Sequence, residues 1–198
     1  MKLTSIKALE LLNNAKGKAK DDYWIEHSIC VGNTAEIIAK KLDLDSEKAK
    51  TLGYIHDIGK RNGYGKGIKP HDIGGYEYIT SLGYDEEYAN VCLTHSYLNN
   101  DINCVAGGIP SKDRYKYEFV KEFIENHSYT IYEKIINLCD LICKQNIMTL
   151  EKRLIDLIQR YGVFDNTVYH IKEAQKLRME IKNLLNCSVY SLFDKVEI

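Results

Sequence analysis

The chain has 198 residues, of which 44% are hydrophobic and 28% charged, so it is long enough to bury one core and short for two ordinary domains. Its 27 Lys and Arg nearly balance 28 Asp and Glu, and the formal net charge of -1 provides no basic field for nucleic acid or an anionic membrane. No apolar run approaches the roughly 18 residues of a membrane span, and residues 1–20 lack the pattern of a secretory signal. The sequence therefore predicts a single cytoplasmic domain, over 1–198, that binds neither nucleic acid nor membranes.

The hydrophobic pattern is helical along the chain. Only two prolines occur, apolar residues recur at spacings of three and four, and convincing alternation with a period of two is absent. This pattern predicts helices over 3–14, 23–42, 46–58, 72–82, 86–98, 114–126, 130–147, 149–161 and 167–186. We expect an all-α fold, a helical bundle in which additional C-terminal helices, over about 148–198, complete the core or form the face of a homodimer.

The helical neighbours of each histidine, three and four positions away, indicate which side of its helix it occupies. His27 and His95 have mainly apolar neighbours, so both are predicted to face the core. His170 has polar neighbours and is predicted to lie on the surface, whereas the neighbours of His127 leave its place open. A lone histidine on an apolar face is more often a core residue than a ligand, so a metal site requires further signals.

The acids Asp57 and Asp140 provide those signals. His56 and Asp57 are adjacent and Gly59 is predicted to end their helix, which lets both side chains converge on one ion. Asp140 lies in a hydrophobic helix with apolar residues one turn away, so its carboxylate faces inward. Burial of an unpaired carboxylate costs several kcal/mol. A metal ion would account for the acids and the histidines together.

The order of these residues resembles the HD superfamily of metal-dependent phosphohydrolases. The motif YIHDIGK follows a histidine on a helix and precedes an aspartate in a hydrophobic helix, and the match spans roughly residues 20–147. The resemblance implies a metal-binding core over this range with the basic ligand set His27, His56, Asp57 and Asp140. His71 in KPHDIGGYEY and His95 in CLTHSY match the extra histidines of two-metal members, in which Asp57 would be the bridging carboxylate.

Two segments, HDIGGYEYI and IINLCDLI, resemble the bacterial HD hydrolases that cleave diadenosine tetraphosphate symmetrically. Ser96 follows His95 where that family usually has Thr, and residues 141–143 do not reproduce the family's segment after the last Asp. The GYP signature of the cyclic-dinucleotide phosphodiesterase branch is absent. The resemblance implies a phosphorylated small-molecule substrate, a nucleotide or dinucleoside polyphosphate, with Ser96 a candidate contact.

A set of imidazoles and carboxylates without thiolate suits Fe, Mn, Zn, Co or Ni. Two divalent ions can hold a hydroxide between them and bind the oxygens of a phosphoryl group. The predicted reaction is therefore in-line hydrolysis of a phosphate ester or anhydride by metal-bound hydroxide, with Asp57 and Lys60 as catalytic residues.

The segment 58–70, IGKRNGYGKGIKP, contains four cations and no acid. A solvated loop is the more common role of such a composition, but glycine permits close approach to a ligand and lysine can bind phosphate as a point charge. Because this loop joins Asp57 to His71, it is predicted to pass near the substrate. The candidate substrate contacts in it are Lys60, Arg61 and Lys66.

Two other classes of function use the same ligands. Some HD-fold oxygenases hold two irons with a similar set of six residues, and their substrates can also be anionic. A metal-stabilised binding or signalling module without turnover is the third possibility. Phosphate release, oxygen consumption with iron, or bound metal with neither activity discriminates the three.

Overall fold

The protein is described here by a computed structural model, which covers residues 1–63 and 67–198. Within these residues the α-helices are α1 (Ser5–Asn13), α2 (Tyr23–Lys41), α3 (Ser46–Ile55), α4 (His71–Ser81), α5 (Glu86–Thr94), α6 (Tyr117–Asn126), α7 (Ile131–Ile142), α8 (Leu150–Tyr161) and α9 (Thr167–Leu185). Two short 3₁₀ helices, Ile58–Asn62 and Val189–Leu192, and two isolated backbone bridges accompany them. The predicted all-α fold is confirmed. None of the helices in the described ranges is both long and apolar enough to cross a membrane.

Several helix starts are fixed by side-chain caps. The cap oxygen in each case accepts a hydrogen bond from the backbone N–H three residues later, as seen at Thr4, Asp45, Thr130 and Thr149. At Thr130 the Glu133 side chain also bonds back to the cap backbone, which completes a reciprocal capping box. A cap of this kind is typically worth about 1 kcal/mol. The cap at Thr130 fixes the start of α7, the helix on which Asp140 lies.

Helix α3 is shorter than predicted, because it ends at Ile55 rather than at residue 58. His56 and Asp57 follow it, and the chain then forms the 3₁₀ helix Ile58–Asn62. A Cβ atom at Gly59 would collide with the carbonyl oxygen of His71, so only glycine allows this turn to pack so closely on α4. The His56-Asp57 pair therefore lies between the end of α3 and the start of α4.

Three further helix bounds differ from those predicted by three residues or more. Helix α5 ends at Thr94 rather than at residue 98, because the Leu98 N–H donates to the Cys104 carbonyl of the following loop. Helix α6 begins at Tyr117 rather than at residue 114, because Lys116 adopts a left-handed backbone with φ of 54°. Helix α7 ends at Ile142 rather than at residue 147, because Cys143 is extended and forms a backbone bridge with Ile147.

The centre of the fold is formed by α2, α3 and α7. Helix α2 packs on α3 and α7, while α4 packs on α5 and on the 3₁₀ helix that follows Asp57. A Cβ at Gly53 would collide with the Cα of Gly32, which shows how closely α2 and α3 cross. Helices α8 and α9 both pack on α7. The C-terminal helices therefore share one core with the preceding helices.

Candidate metal centre

All of the predicted metal ligands meet at one place in the fold. His27 lies in α2, the His56-Asp57 pair follows α3, and Asp140 lies in α7. His71 is the first residue of α4, and His95 directly follows the last residue of α5. Four of the six residues are buried, namely His27, His56, Asp57 and His95. Five separate elements of the fold thus bring their side chains to one cluster.

The first group in this cluster surrounds one oxygen of Asp57. His27 Nε2 lies 3.7 Å from Asp57 Oδ2, and His56 Nε2 lies 3.6 Å from the same atom. Asp140 Oδ1 closes the group at 2.8 Å from His27 Nε2 and 3.8 Å from His56 Nε2. The two imidazole Nε2 atoms face each other at 3.3 Å.

The second group surrounds the other oxygen of Asp57. His95 Nε2 lies 3.3 Å from Asp57 Oδ1, and His71 Nε2 lies 3.6 Å from it. These two Nε2 atoms are 3.2 Å apart. Each group of three, His27-His56-Asp57 and Asp57-His71-His95, has potential ligand atoms within 4.8 Å of one another. Asp57 belongs to both groups.

The nitrogen and oxygen atoms that face the cluster are suited to bind divalent cations. Nδ1 of His56 lies 2.6 Å from the Gly53 carbonyl oxygen, and Nδ1 of His95 lies 2.9 Å from the Cys92 carbonyl oxygen. When Nδ1 donates to these carbonyls, the Nε2 of each neutral ring presents a lone pair to the cluster. Asp57 Oδ1 is buried and has no hydrogen-bond partner. A cation would satisfy these lone pairs, and a set of nitrogen and oxygen donors suits Fe, Mn, Zn, Co or Ni.

The two acids of the cluster are held ionised. Burial opposes the charge on Asp57, but Lys60 and His56 outweigh it and keep the pKa of Asp57 well below its ordinary value. Burial opposes the charge on Asp140 as well, but the hydrogen bond with His27 and the nearby imidazole of His56 hold the pKa of Asp140 well below its ordinary value. Both carboxylates are therefore in the state that binds a metal ion.

The histidines respond in two ways to the same surroundings. Burial lowers the pKa of His27 and lowers that of His71 to about 4. Burial also opposes protonation of His56, but the neighbouring carboxylates outweigh it and raise the pKa of His56. Because metal ligation requires the neutral imidazole, a metal ion at this site competes with protons for His56.

A cavity of about 720 Å³ opens onto the cluster. Ligand candidates on its wall are His27, His71, His95 and Asp140. Ser96 also lines it, with Oγ 2.9 Å from His95 Nε2 and 3.4 Å from His71 Nε2. The predicted contact Ser96 thus lies beside the second group.

The predicted basic contacts have different positions. Lys60 lines the cavity, and its ammonium group contacts Asp57 Oδ2. Arg61 is not among the lining residues, since its guanidinium lies 3.9 Å from the centre of the Tyr78 ring. Successive residues of a 3₁₀ helix point about 120° apart, so Lys60 and Arg61 face different directions. Lys66 lies outside the described residues.

The prediction that His170 lies on the surface is wrong. Its side chain is buried and lines the cavity. The polar neighbours that suggested exposure, among them Asn166 and Glu173, are themselves buried. The Asn166 amide donates to two backbone carbonyls of the loop before α6, at 2.8 and 2.9 Å. Polar neighbours here satisfy buried backbone groups, so they do not indicate solvent.

His127, which the sequence leaves open, is not among the residues that line the cavity. Its Nε2 lies 2.8 Å from one carboxylate oxygen of Glu133, the residue that completes the cap of α7. Thr94, next to His95, donates to the same oxygen at 3.2 Å. His127, which follows the last residue of α6, therefore helps to join α6 to α7 rather than to bind at the cluster.

A buried ion pair between Arg114 and Asp72 stabilises the first turn of α4. Arg114 Nη2 lies 2.6 and 2.7 Å from the two oxygens of Asp72, the residue after His71. The Tyr97 hydroxyl donates to Asp72 at 2.7 Å, and Asp72 also accepts the backbone N–H of Ile73. Removal of one partner of a buried pair typically costs 3–5 kcal/mol. This network fixes the first turn of α4, on which His71 lies.

Sequence patterns gave no indication that α8 contributes to the cavity. Its residues on the wall are Arg153, Leu157, Arg160 and Tyr161. The α8 helix was predicted within one residue of its observed bounds. Its relation to the cluster depends on how it packs against α7, for which the sequence carries no local motif.

The model of the HD domain family matches residues 24–161. This is more than half of the chain, so the chain belongs to the HD domain family, and the predicted superfamily is confirmed. The predicted class of enzyme, a metal-dependent hydrolase, agrees with this family. The match extends through α8 to its last residue, Tyr161.

Two solved structures, both of the HD domain of the L. monocytogenes phosphodiesterase PgpH, are similar to the chain. The first is 20% identical, covers 89% of this chain and 97% of its own, and superposes with a TM-score of 0.45. The second, in complex with cyclic-di-AMP, is 19% identical, covers 94% of this chain and 98% of its own, and has a TM-score of 0.46.

Proposed function

We propose that the chain is a phosphohydrolase that uses two divalent metal ions to cleave a phosphoester or phosphoanhydride of a nucleotide, with a dinucleoside polyphosphate as the leading substrate. The observation that carries the proposal is the position of Asp57, which offers one oxygen to each of two histidine groups. A carboxylate shared in this way suits a pair of ions rather than one.

The residues that would hold the ions are His27, His56, Asp57 and Asp140 on one side, and Asp57, His71 and His95 on the other. Divalent ions bound to such residues lower the pKa of water and polarise phosphoryl oxygens. Because both acids are ionised at neutral pH, they offset much of the positive charge of the ions. Protein carbonyls orient His56 and His95 through Nδ1, which leaves Nε2 to the cluster.

Lys60 and Ser96 are the proposed substrate contacts. The ammonium group of Lys60 lies at the wall of the cavity beside Asp57, where it can donate to a phosphoryl oxygen or to the leaving group. The Ser96 hydroxyl lies beside His95 and can donate to a second oxygen. A cavity of about 720 Å³ falls within the usual range for small-molecule sites and accommodates a nucleotide.

The test is anaerobic purification with metal analysis, followed by a hydrolysis screen with Mn, Fe or Co over nucleotides and dinucleoside polyphosphates, in which nucleotide products and phosphate are separated by ion-exchange chromatography. We expect hydrolysis by the native chain that is lost in His56→Ala and in Asp57→Ala. Asp21→Asn is the matched control, because Asp21 lines the cavity but is not part of the cluster.

Two outcomes contradict the proposal. Oxygen consumption with iron and without hydrolysis of any phosphorylated substrate would support the oxygenase instead. Bound metal with neither activity would support the binding or signalling module.

A further inference from the structure

Three cations gather on the part of the cavity wall formed by α8 and the chain just after α7. Lys144, Arg153 and Arg160 all line the cavity. Each forms an ion pair with the Asp156 carboxylate, at 2.9, 2.6 and 2.7 Å respectively. Asp156 itself is not part of the cavity lining. The three cations share the single negative charge of Asp156, so these four residues together have a net charge of about +2.

Two residues that line the cavity also have buried donors that lack acceptors. The side chain of Arg153 is 9% exposed, and its Nε atom has no hydrogen-bond partner although Nη1 donates to Asp156. Trp24, which lines the same cavity, has a buried Nε1 that is also without a partner. Such groups are rare in folded proteins, and each costs about 1–3 kcal/mol. Two of the residues that line the cavity thus carry a donor for which the described residues provide no acceptor.

We call the cavity surface formed by Lys144, Arg153 and Arg160 the basic wall. None of these three residues is a candidate metal ligand. Arg153 and Arg160 lie on α8, which carries none of the six ligand candidates. Among the described residues that line the cavity, the acids are Asp21 and Asp140, and Asp140 belongs to the metal cluster. The α8 part of the cavity is therefore suited to an anion.

We propose that Lys144, Arg153 and Arg160 form a second anion subsite, which holds a phosphate group of the substrate other than the one attacked at the metals. This inference rests on the proposed phosphohydrolase function and narrows its substrate class. It selects compounds with a chain of phosphates, such as a nucleoside polyphosphate or a dinucleoside polyphosphate, over simple phosphate monoesters. Arg153 is held in place by Asp156, so little side-chain order is lost when the anion binds.

The subsite can be tested without turnover. We would titrate inorganic tripolyphosphate into the metal-free full chain, in EDTA and at low salt, by calorimetry. We expect the native chain to bind and the double variant Lys144→Gln/Arg160→Gln to bind at least tenfold more weakly. The two side chains are 46% and 40% exposed, so their substitution leaves the core intact, which circular dichroism verifies. Lys152→Gln is the matched control, because Lys152 lies on α8 but does not line the cavity.

The outcomes separate the subsite from the proposed function. Failure of the native chain to bind tripolyphosphate, or equal affinity in the double variant, would overturn the subsite. If the double variant does not fold, each single variant should still weaken binding at least threefold, and unchanged affinity in both would overturn it.

With metals bound, the ratio of kcat/KM for diadenosine tetraphosphate to that for p-nitrophenyl phosphate should fall at least tenfold in the double variant. An unchanged ratio in an active enzyme would also overturn the subsite. Absence of hydrolysis of every phosphorylated substrate, together with tripolyphosphate binding that depends on Lys144 and Arg160, would instead reject the phosphohydrolase function and leave the subsite standing.

Discussion

His27 Nε2 lies 2.8 Å from Asp140 Oδ1, although the two residues are 113 positions apart in the chain. The other ring nitrogen of His27 lies 3.3 Å from the carbonyl oxygen of Lys144, which follows α7. One histidine of α2 is thus held by two groups of the α7 region. This contact brings the first and the last of the predicted ligands together.

Asp140→Asn should weaken metal binding while the fold is kept. The amide of Asn can still form a hydrogen bond with His27 Nε2, but it lacks the charge that offsets a divalent ion. We expect metal affinity to fall by at least about tenfold, since even outer partners of a metal site contribute 10–100-fold. Metal titration and thermal unfolding of the same preparation measure both effects. Native affinity in the variant would remove Asp140 from the ligand set.

His71→Ala should reduce the metal content from two ions to one. His71 belongs to the group of His95 and Asp57, whereas His27 and His56 form the other group. Loss of one imidazole should therefore empty one site and leave its neighbour filled. Metal analysis after anaerobic loading measures the ratio of metal to protein. A content of one ion in the native chain, or of none in the variant, contradicts two separable sites.

Lys60→Ala should lower kcat/KM for phosphorylated substrates and leave the metal content unchanged. Removal of one charged donor to a reacting oxygen typically costs about 10²-fold. Arg61→Ala is the adjacent control, because Arg61 stacks on Tyr78 and does not line the cavity. That variant should lose only a cation–π contact, worth about 0.5–1 kcal/mol of folding free energy. Equal kinetic losses in both variants would return Arg61 to the substrate contacts and contradict the placement proposed for Lys60.

His170 should make the metal-free chain less stable in acid. Burial lowers its pKa to about 4 from an ordinary value of 6.5. Between these values the unfolded chain binds a proton that the folded chain does not, so the stabilisation is complete above about pH 6.5 and is lost as the pH falls toward 4. At about 1.36 kcal/mol per pKa unit, the loss is on the order of 3 kcal/mol.

Urea unfolding in EDTA across this pH range, for the native chain and for His170→Gln, measures that loss. We expect the free energy of unfolding to fall less steeply with acid in the variant, whatever its stability at neutral pH. The same pH dependence in both proteins would show that His170 does not titrate in this window.

The proximity of the candidate ligands could be predicted because these residues leave local signals in the sequence. The adjacent His56-Asp57 pair and an aspartate in the hydrophobic stretch of α7 are both visible in the sequence, and the structure brings them together. The end of α3 was predicted less well, because the packing of Gly59 against His71 is a contact between elements. The helix propensities of the neighbouring residues do not indicate such a contact.

The basic wall and His170 could not be found in this way. Arg153 and Arg160 follow an ordinary amphipathic pattern, and a charged helix face usually indicates solvent. Burial of Arg153 depends on Asp156 in the same helix and on the packing of α8 against α7. The polar neighbours of His170 are buried, whereas in the sequence alone polar neighbours indicate an exposed helix face. These features arise from tertiary packing rather than from the period of the helix.

If the proposed metal site and anion subsite are both correct, two stretches of the chain govern different properties of one cavity. Residues that would hold the ions end at Asp140, whereas the basic wall begins at Lys144. Substitutions after Asp140 can therefore alter which molecule is accepted while the ligand set is preserved. Exchange of α8 between relatives with equivalent ligands offers a modular route to new substrate preferences.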